Sequence, residues 1–336
     1  MQFDVVETRI AVRGVQSLAW QGDALVDWVG GGVRYELDGN VTPSYVRYAY
    51  VFDASVALPD GEYAVIHTRL GTKGLLLRNG RIVREINRSY YQADSYDYPV
   101  ALMRLASGRV VLAHCPDAYN RLELEDAETG ERLTASSSRE PTDFFHSRLT
   151  VSPDGRYLMS AGWIWHPVDC MHVYDIAQAL ADPSHLDGSG VGTADSAESG
   201  TATFLHDGRL LMALVEVDVD DERNTSPPGT TILRTYADAA SKTPAVLDVP
   251  RVFGDLMPVG AGHVLALYEH PRLVELATGN EVASWPHVAS GNRTGAISHH
   301  VDVPPAALDA AGGRYAVADA DGITVLQFNP ASTIAT

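Results

Sequence analysis

Cysteine is nearly absent: Cys115 and Cys170 are the two in a chain of 336 residues. Two isolated cysteines exclude a disulfide framework and a cysteine-based zinc site. Long hydrophobic runs are missing too, and none approaches the ~20 residues of a membrane-spanning helix. The opening residues, Met1-Gln2-Phe3-Asp4-Val5, lack the basic and then apolar regions of a secretory signal. The expected location is therefore the cytoplasm, with free thiols. Positive charge is scarce, with 25 Lys and Arg against 43 Asp and Glu, a net charge of −18. Such a surface repels phosphate backbones and anionic lipid, so neither nucleic acid nor a membrane is an expected partner. No Gly-x-Ser-x-Gly elbow, phosphate loop, dinucleotide fingerprint or His-Glu-x-x-His motif occurs. The enzyme classes that those motifs mark are not indicated, and no cofactor is expected.

What is present is a globular, turn-rich composition. Hydrophobic residues make up 45%, enough for a large core, with 29 Gly and 18 Pro. One turn signal recurs along the chain. Its clearest copy is Thr150-Val151-Ser152-Pro153-Asp154-Gly155-Arg156-Tyr157-Leu158, an apolar run, a Pro-Asp-Gly turn and a second run. Pro presets φ, Asp bonds its own backbone, and Gly takes positive φ without a steric cost. Leu58-Pro59-Asp60-Gly61-Glu62-Tyr63 is nearly identical, and Ser107-Gly108-Arg109 and His206-Asp207-Gly208-Arg209 follow it closely. Weaker copies are Gly260-Ala261-Gly262-His263, Ala311-Gly312-Gly313-Arg314 and Gln21-Gly22-Asp23. From Gly22 through Gly61, Gly108, Gly155, Gly208 and Gly262 to Gly313 the gaps are 39, 47, 47, 53, 54 and 51, and the chain averages 48 residues per unit.

Four short antiparallel strands, here a to d, and their turns fill such a length. The expected fold is all-β: a seven-bladed β-propeller of four-stranded antiparallel blades in one domain spanning 1–336. The expected blades are 14–52, 53–95, 96–142, 143–190, 191–250, 251–290 and 291–330. The last unit lacks a fourth strand, and a spare strand, 3–13, precedes the first. Pairing the two would remove an exposed edge and close the ring. The segment Ser152-Pro153-Asp154-Gly155-Arg156-Tyr157-Leu158 resembles the turn between the first two strands of WD-repeat and YVTN-type propellers. Asp319-Ala320-Asp321-Gly322-Ile323 is similar to their b–c turn. The Trp-Asp dipeptide of WD repeats is missing, and Tyr174-Asp175 is its nearest match. The resemblance implies a closed ring with a central channel and carries over no catalytic residue, because propellers host many functions.

In such propellers the b–c and d–a loops share a rim that commonly binds. Six residues after the seven anchors stand Trp28, His67, His114, Ala161, Leu214, Tyr268 and Asp319. Eight residues after them stand Gly30, Arg69, Pro116, Trp163, Glu216, His270 and Asp321. The d–a loops add Tyr48, Tyr91, Tyr96, Tyr98, Phe145, His146 and His300. Aromatic side chains give large contact area at low entropic cost. The expected binding rim is Tyr48, Arg69, Tyr91, Tyr96, Tyr98, Phe145, His146, Trp163, Glu216 and His300. It would meet a protein or peptide, with a basic or toxin-like partner favoured by the acidic balance. The alternative is a channel-mouth enzyme, a lactonase-like hydrolase or lyase, with His67, His114 or His270 as acid or base. No metal is expected, although His67, His114, His270 and Asp319 are the residue types that would hold one. Glu216 opens an acidic run to Glu222 that lacks the glycine-centred loop of a calcium site. His299 and His300, as strand neighbours, would face apart, and so would His114 and Cys115.

Overall fold

The computed structural model describes residues 3–166, 168–191, 198–215 and 230–330. Seven antiparallel sheets form a ring. The first to third contain Ala19–Gln21 to Val41–Thr42, Ala54–Ala57 to Arg81–Asn87, and Val100–Arg104 to Glu123–Asp126. The fourth to sixth contain Leu149–Val151 to Val168–Asp175, Glu198–Phe204 to Ala245–Val249, and Leu256–Val259 to Glu281–Ser284. The seventh joins Ala306–Asp309, Arg314–Ala318 and Gly322–Pro330 to Phe3–Ala11. That last pairing runs from Phe3 opposite Pro330 to Ala11 opposite Gly322 and closes the ring. Ile10 is buried there with Leu18, Trp20, Ala316 and Ile323, so the closure also seals a core between the first and last blades.

The turns that set the period work through backbone geometry. Gly22, Gly61, Gly108, Gly155, Gly208 and Gly313 all have positive φ, which only glycine adopts readily. The first unit, with the weakest signal, is therefore a true blade. In the sixth unit the positive φ falls on Gly260 and not on Gly262, so the turn lies two residues before its anchor.

Each strand b runs through the interior of its blade. Ala24–Asp27, Tyr63–His67 and Val110–His114 are buried along their whole length. Apolar clusters fill the spaces between neighbouring blades, as where Val65, Leu76 and Ile86 meet Val100, Leu102 and Leu112.

Two blades depart from four full strands. In the third, strand d shrinks to a bridge between Glu125 and Arg132. In the fourth, a helix, Ile176–Ala181, stands where strand d was expected. Asp175 caps it by accepting from the Gln178 N–H, and Pro183 starts a second short helical turn capped by Asp182. Ile176, Ala179 and Leu186 anchor this insertion in the core. No helix among the described residues is long and apolar enough to cross a membrane.

Candidate functional site: the strapped channel mouth

Because strands alternate in direction, the described b–c and d–a connections lie on one rim. Two d–a connections on that rim leave their own blades and meet. The first, between the second and third blades, is folded around buried Arg88. The Arg88 guanidinium donates to the carbonyls of Gly71 at 2.7 Å, Ala93 at 2.6 Å and Tyr96 at 2.9 Å. The second, between the sixth and seventh blades, reaches across the ring as a strap. Ile297 bridges Tyr96, and the Ser298 N–H donates to the Ser95 carbonyl at 2.8 Å. The Ala296 N–H donates to Asp169 of the fourth blade at 2.9 Å.

The strap is tightly seated. A Cβ on Gly295 would lie 2.0 Å from Asp169 Oδ2, and one on Gly200 would lie 2.4 Å from the Thr294 carbonyl. Gly295→Ala is expected to destabilise the fold by roughly 1–3 kcal/mol, as overpacking does. Hydrogen exchange at 294–298 should rise in that variant more than in the distant blade strands.

Beneath the strap lies an ionic network built from one or two residues of each loop. Asp97 accepts from Arg69 at 2.9 Å, from Arg293 at 2.5 Å and from the Ser298 hydroxyl at 2.8 Å. Arg293 also donates to Asp255 through Nε at 2.9 Å and through Nη2. Arg148 donates to the Ala161 carbonyl at 3.2 Å and to the Gly200 carbonyl at 2.9 Å. Burial opposes ionisation of Asp97, but Arg293 and Arg69 outweigh it and hold the carboxyl below its ordinary range. Burial, together with repulsion from Arg293, lowers the pKa of Arg148. Asp169 moves the other way: burial pushes it up to about 6 against the pull of Arg148 and the Ala296 N–H.

Around this mouth the aromatic residues form a ladder. Phe145 stacks on Trp163 with ring centres 3.9 Å apart and on Tyr119 at 4.1 Å. Tyr96 meets Phe145 edge-on at 5.6 Å. Tyr91 and Trp165 cap this base and face solvent, each 42% exposed. Their rings are 6.5 Å apart.

The structure sorts the expected rim residues into two groups. Tyr96, Tyr98, Phe145, His146 and Trp163 are buried and form the support. Tyr91 and His300 are exposed, while Arg69 and Tyr48 are half-buried. Tyr48 packs on Phe52, and Arg69 belongs to the ionic network. Glu216 and the acidic run to Glu222 lie outside the described residues. His299 and His300 occupy a turn and not a strand, so their rings approach to 3.9 Å instead of facing apart.

The three candidate histidines sit in separate blades. His67 lies in the channel wall, and burial lowers its pKa to about 4, leaving it neutral at pH 7. His114 is buried inside the third blade, 3.1 Å from Glu125. Burial would raise Glu125, but His114 and Arg84 outweigh it and hold the carboxyl near 2. His270 is half-buried near Arg272 on the sixth blade. Asp319 is held by Arg9 at 2.6 Å and accepts from the Asp321 N–H at 2.8 Å, which makes it a turn former. No three His, Cys, Asp or Glu side chains converge as a metal site among the described residues. Cys115 is fully buried, and that burial pushes its thiol far up, away from nucleophilic use.

The residues that sequence reasoning missed are Asp97, Arg148, Asp255, Arg293 and Ser298. One signal was available: a charged residue stands directly before strand a in the second, fourth and sixth blades, at Asp53, Arg148 and Asp255.

No family model and no curated protein sequence matches this chain. Solved structures do. The chain is similar to the β-propeller domain of Cps50 (Swd1) from Myceliophteria thermophila, with a TM-score of 0.55 and 12% identity over 95% of this chain and 99% of that one. It is also similar to BamB from Moraxella catarrhalis, with a TM-score of 0.53 and 14% identity over 98% of this chain and 100% of that one. The shared feature is the fold. This chain is a seven-bladed β-propeller.

Proposed function

We propose that this propeller is a binding protein that docks a protein or peptide on the rim made by its b–c and d–a connections. One observation carries the reading. Tyr91 and Trp165 stand half-exposed on a buried, stacked base of Phe145, Trp163 and Tyr96. Rigid aromatic side chains lose little entropy when a partner covers them, and they dominate binding hot spots. Tyr90, at 86% exposure, and Tyr45, at 91%, extend the apolar surface along d–a loops of the same rim. The net charge of −18 makes a basic partner the better complement. The two unpaired cysteines suit a reducing compartment, and we place the interaction in the cytoplasm.

The test is affinity capture with three baits: the wild type, the double variant Tyr91→Ser with Trp165→Ser, and Asp207→Ser. Asp207 sits on an a–b turn of the opposite rim. The partner should be retained by the wild type and by Asp207→Ser, and lost by the double variant. A partner that stays on the double variant and leaves Asp207→Ser would place binding on the wrong face.

A further inference from the structure

Below the strap the channel holds a cavity of about 650 Å³, within the range of small-molecule sites. The ionic network closes one end. The other end reaches Pro153, His206 and Ala311, which are exposed on the opposite rim. The cavity is thus a blind pocket entered from the face away from the aromatic ladder.

Its closed end is short of acceptors. Arg69, Arg148 and Arg293 line it against Asp97 and Asp255, three guanidinium groups facing two carboxylates in a chain that is otherwise strongly acidic. Arg69 and Arg293 are committed to those acids. Arg148 is not. Its side chain is only 10% exposed, yet Nη1 lies 3.8 Å from the nearest carboxylate oxygen, on Asp255, beyond hydrogen-bond distance. A third acid, Asp169, acts on Arg148 electrostatically, but it accepts from the Ala296 N–H and lies outside the cavity lining. Nη1 therefore keeps donors for an acceptor placed in the cavity.

We propose that this blind pocket binds a small organic carboxylate, taken up by the Nη1 edge of Arg148, which makes no hydrogen bond to either acid of the cavity. A guanidinium edge fits a planar carboxylate, and charge-assisted bonds of this kind are the strong ones. The remaining wall includes Val56, Leu149, Val151, Met159 and Met257 and suits an apolar body behind the charged head. Inorganic phosphate has no such body and is expected to bind more weakly. This pocket is separate from the rim proposed for the protein partner, so either reading can fail alone.

The test is titration calorimetry of the full chain with acetate, benzoate and octanoate, and with inorganic phosphate as the competing anion. Benzoate or octanoate should bind saturably, one per chain, more tightly than acetate. Arg148→Gln should weaken that binding about tenfold or more, a loss of ~1.4 kcal/mol, and Arg148→Lys should weaken it less. Thr150→Trp provides a second arm, because Thr150 is an exposed residue of the cavity wall that touches none of the arginines through a hydrogen bond. It should abolish binding while melting like the wild type, and it decides the matter if Arg148→Gln does not fold. Absence of saturable binding by all three carboxylates would overturn the proposal. So would binding that survives Thr150→Trp, or displacement of benzoate by phosphate.

Discussion

Asp97→Ala is expected to lower the unfolding free energy by about 3–5 kcal/mol, the usual cost of removing one partner from a buried ion pair. The side chain of Asp97 is 12% exposed, and those of its partners Arg69 and Arg293 are 20% and 17% exposed. Removing the carboxylate leaves two desolvated cations close together, with Arg148 nearby. It also removes the acceptor for the Ser298 hydroxyl, so the strap loses one of its anchors to the loop around Arg88. Asp97→Asn should lose less, because an amide oxygen can still accept from the Ser298 hydroxyl. Arg69→Met in the Asp97→Ala background should recover part of the loss, since it removes one unpaired charge. Denaturant melts of the four proteins check this. A loss below about 1 kcal/mol for Asp97→Ala would mean that the network behaves like a surface salt bridge.

The second large effect is loss of stability in mild acid. Burial lowers the pKa values of His67 and His172 to about 4 and that of His146 to about 3, with His172 adding to the shift at His146. In the unfolded chain each histidine takes up its proton near 6.5. Between about pH 6.5 and 4 the unfolded state therefore binds more protons, and folding stability falls as the pH drops through that window. Each shift of two units or more corresponds to something on the order of 3 kcal/mol. Asp169 acts in the opposite sense. Its folded value near 6 lies above its ordinary 3.8, so its burial penalty is relieved as the pH falls toward 4. One raised acid offsets about one lowered histidine, and the net change is a loss. His67→Phe keeps an aromatic ring against Tyr98, which His67 meets at 5.4 Å, and should flatten the dependence. Urea melts at pH 7.5 and pH 5 measure it, and equal midpoints for the wild type would contradict the assignment.

The period and the closure were legible in the sequence for a local reason. A hairpin turn needs positive φ, and the glycines that supply it stand in the chain at readable intervals. The strand predicted at 3–13 pairs as Phe3–Ala11. The fourth blade was less legible because Asp175 and Asp182 act as helix caps, a local signal that overrode the expected strand. The channel mouth was hidden for the opposite reason. Asp97 meets Arg293 across 196 positions and Ser298 across 201, and Arg69 meets Ser298 across 229. Each loop contributes one or two polar residues, so no spacing within any loop reveals the network.

The aromatic loops were visible as a group, but their division was not. Phe145 and Tyr91 are both aromatic residues in d–a loops, yet Phe145 is covered by Trp163, Tyr119 and Tyr96, which come from other segments, while Tyr91 stays exposed. Sequence offsets also placed His67 and His114 at equivalent positions. One ended in the channel wall and the other against Glu125, because the third blade supplies an acid on strand c.

The measurement that bears most directly on the rim reading is site-specific photo-crosslinking in the cells that make this protein, with the reactive group at position 91 or at position 207. A discrete, heavier adduct is expected from position 91 and none from position 207, and Trp165→Ser should diminish that adduct. An adduct from position 207 alone, or a clean background at position 91 in cells where the chain is folded, would contradict the rim reading.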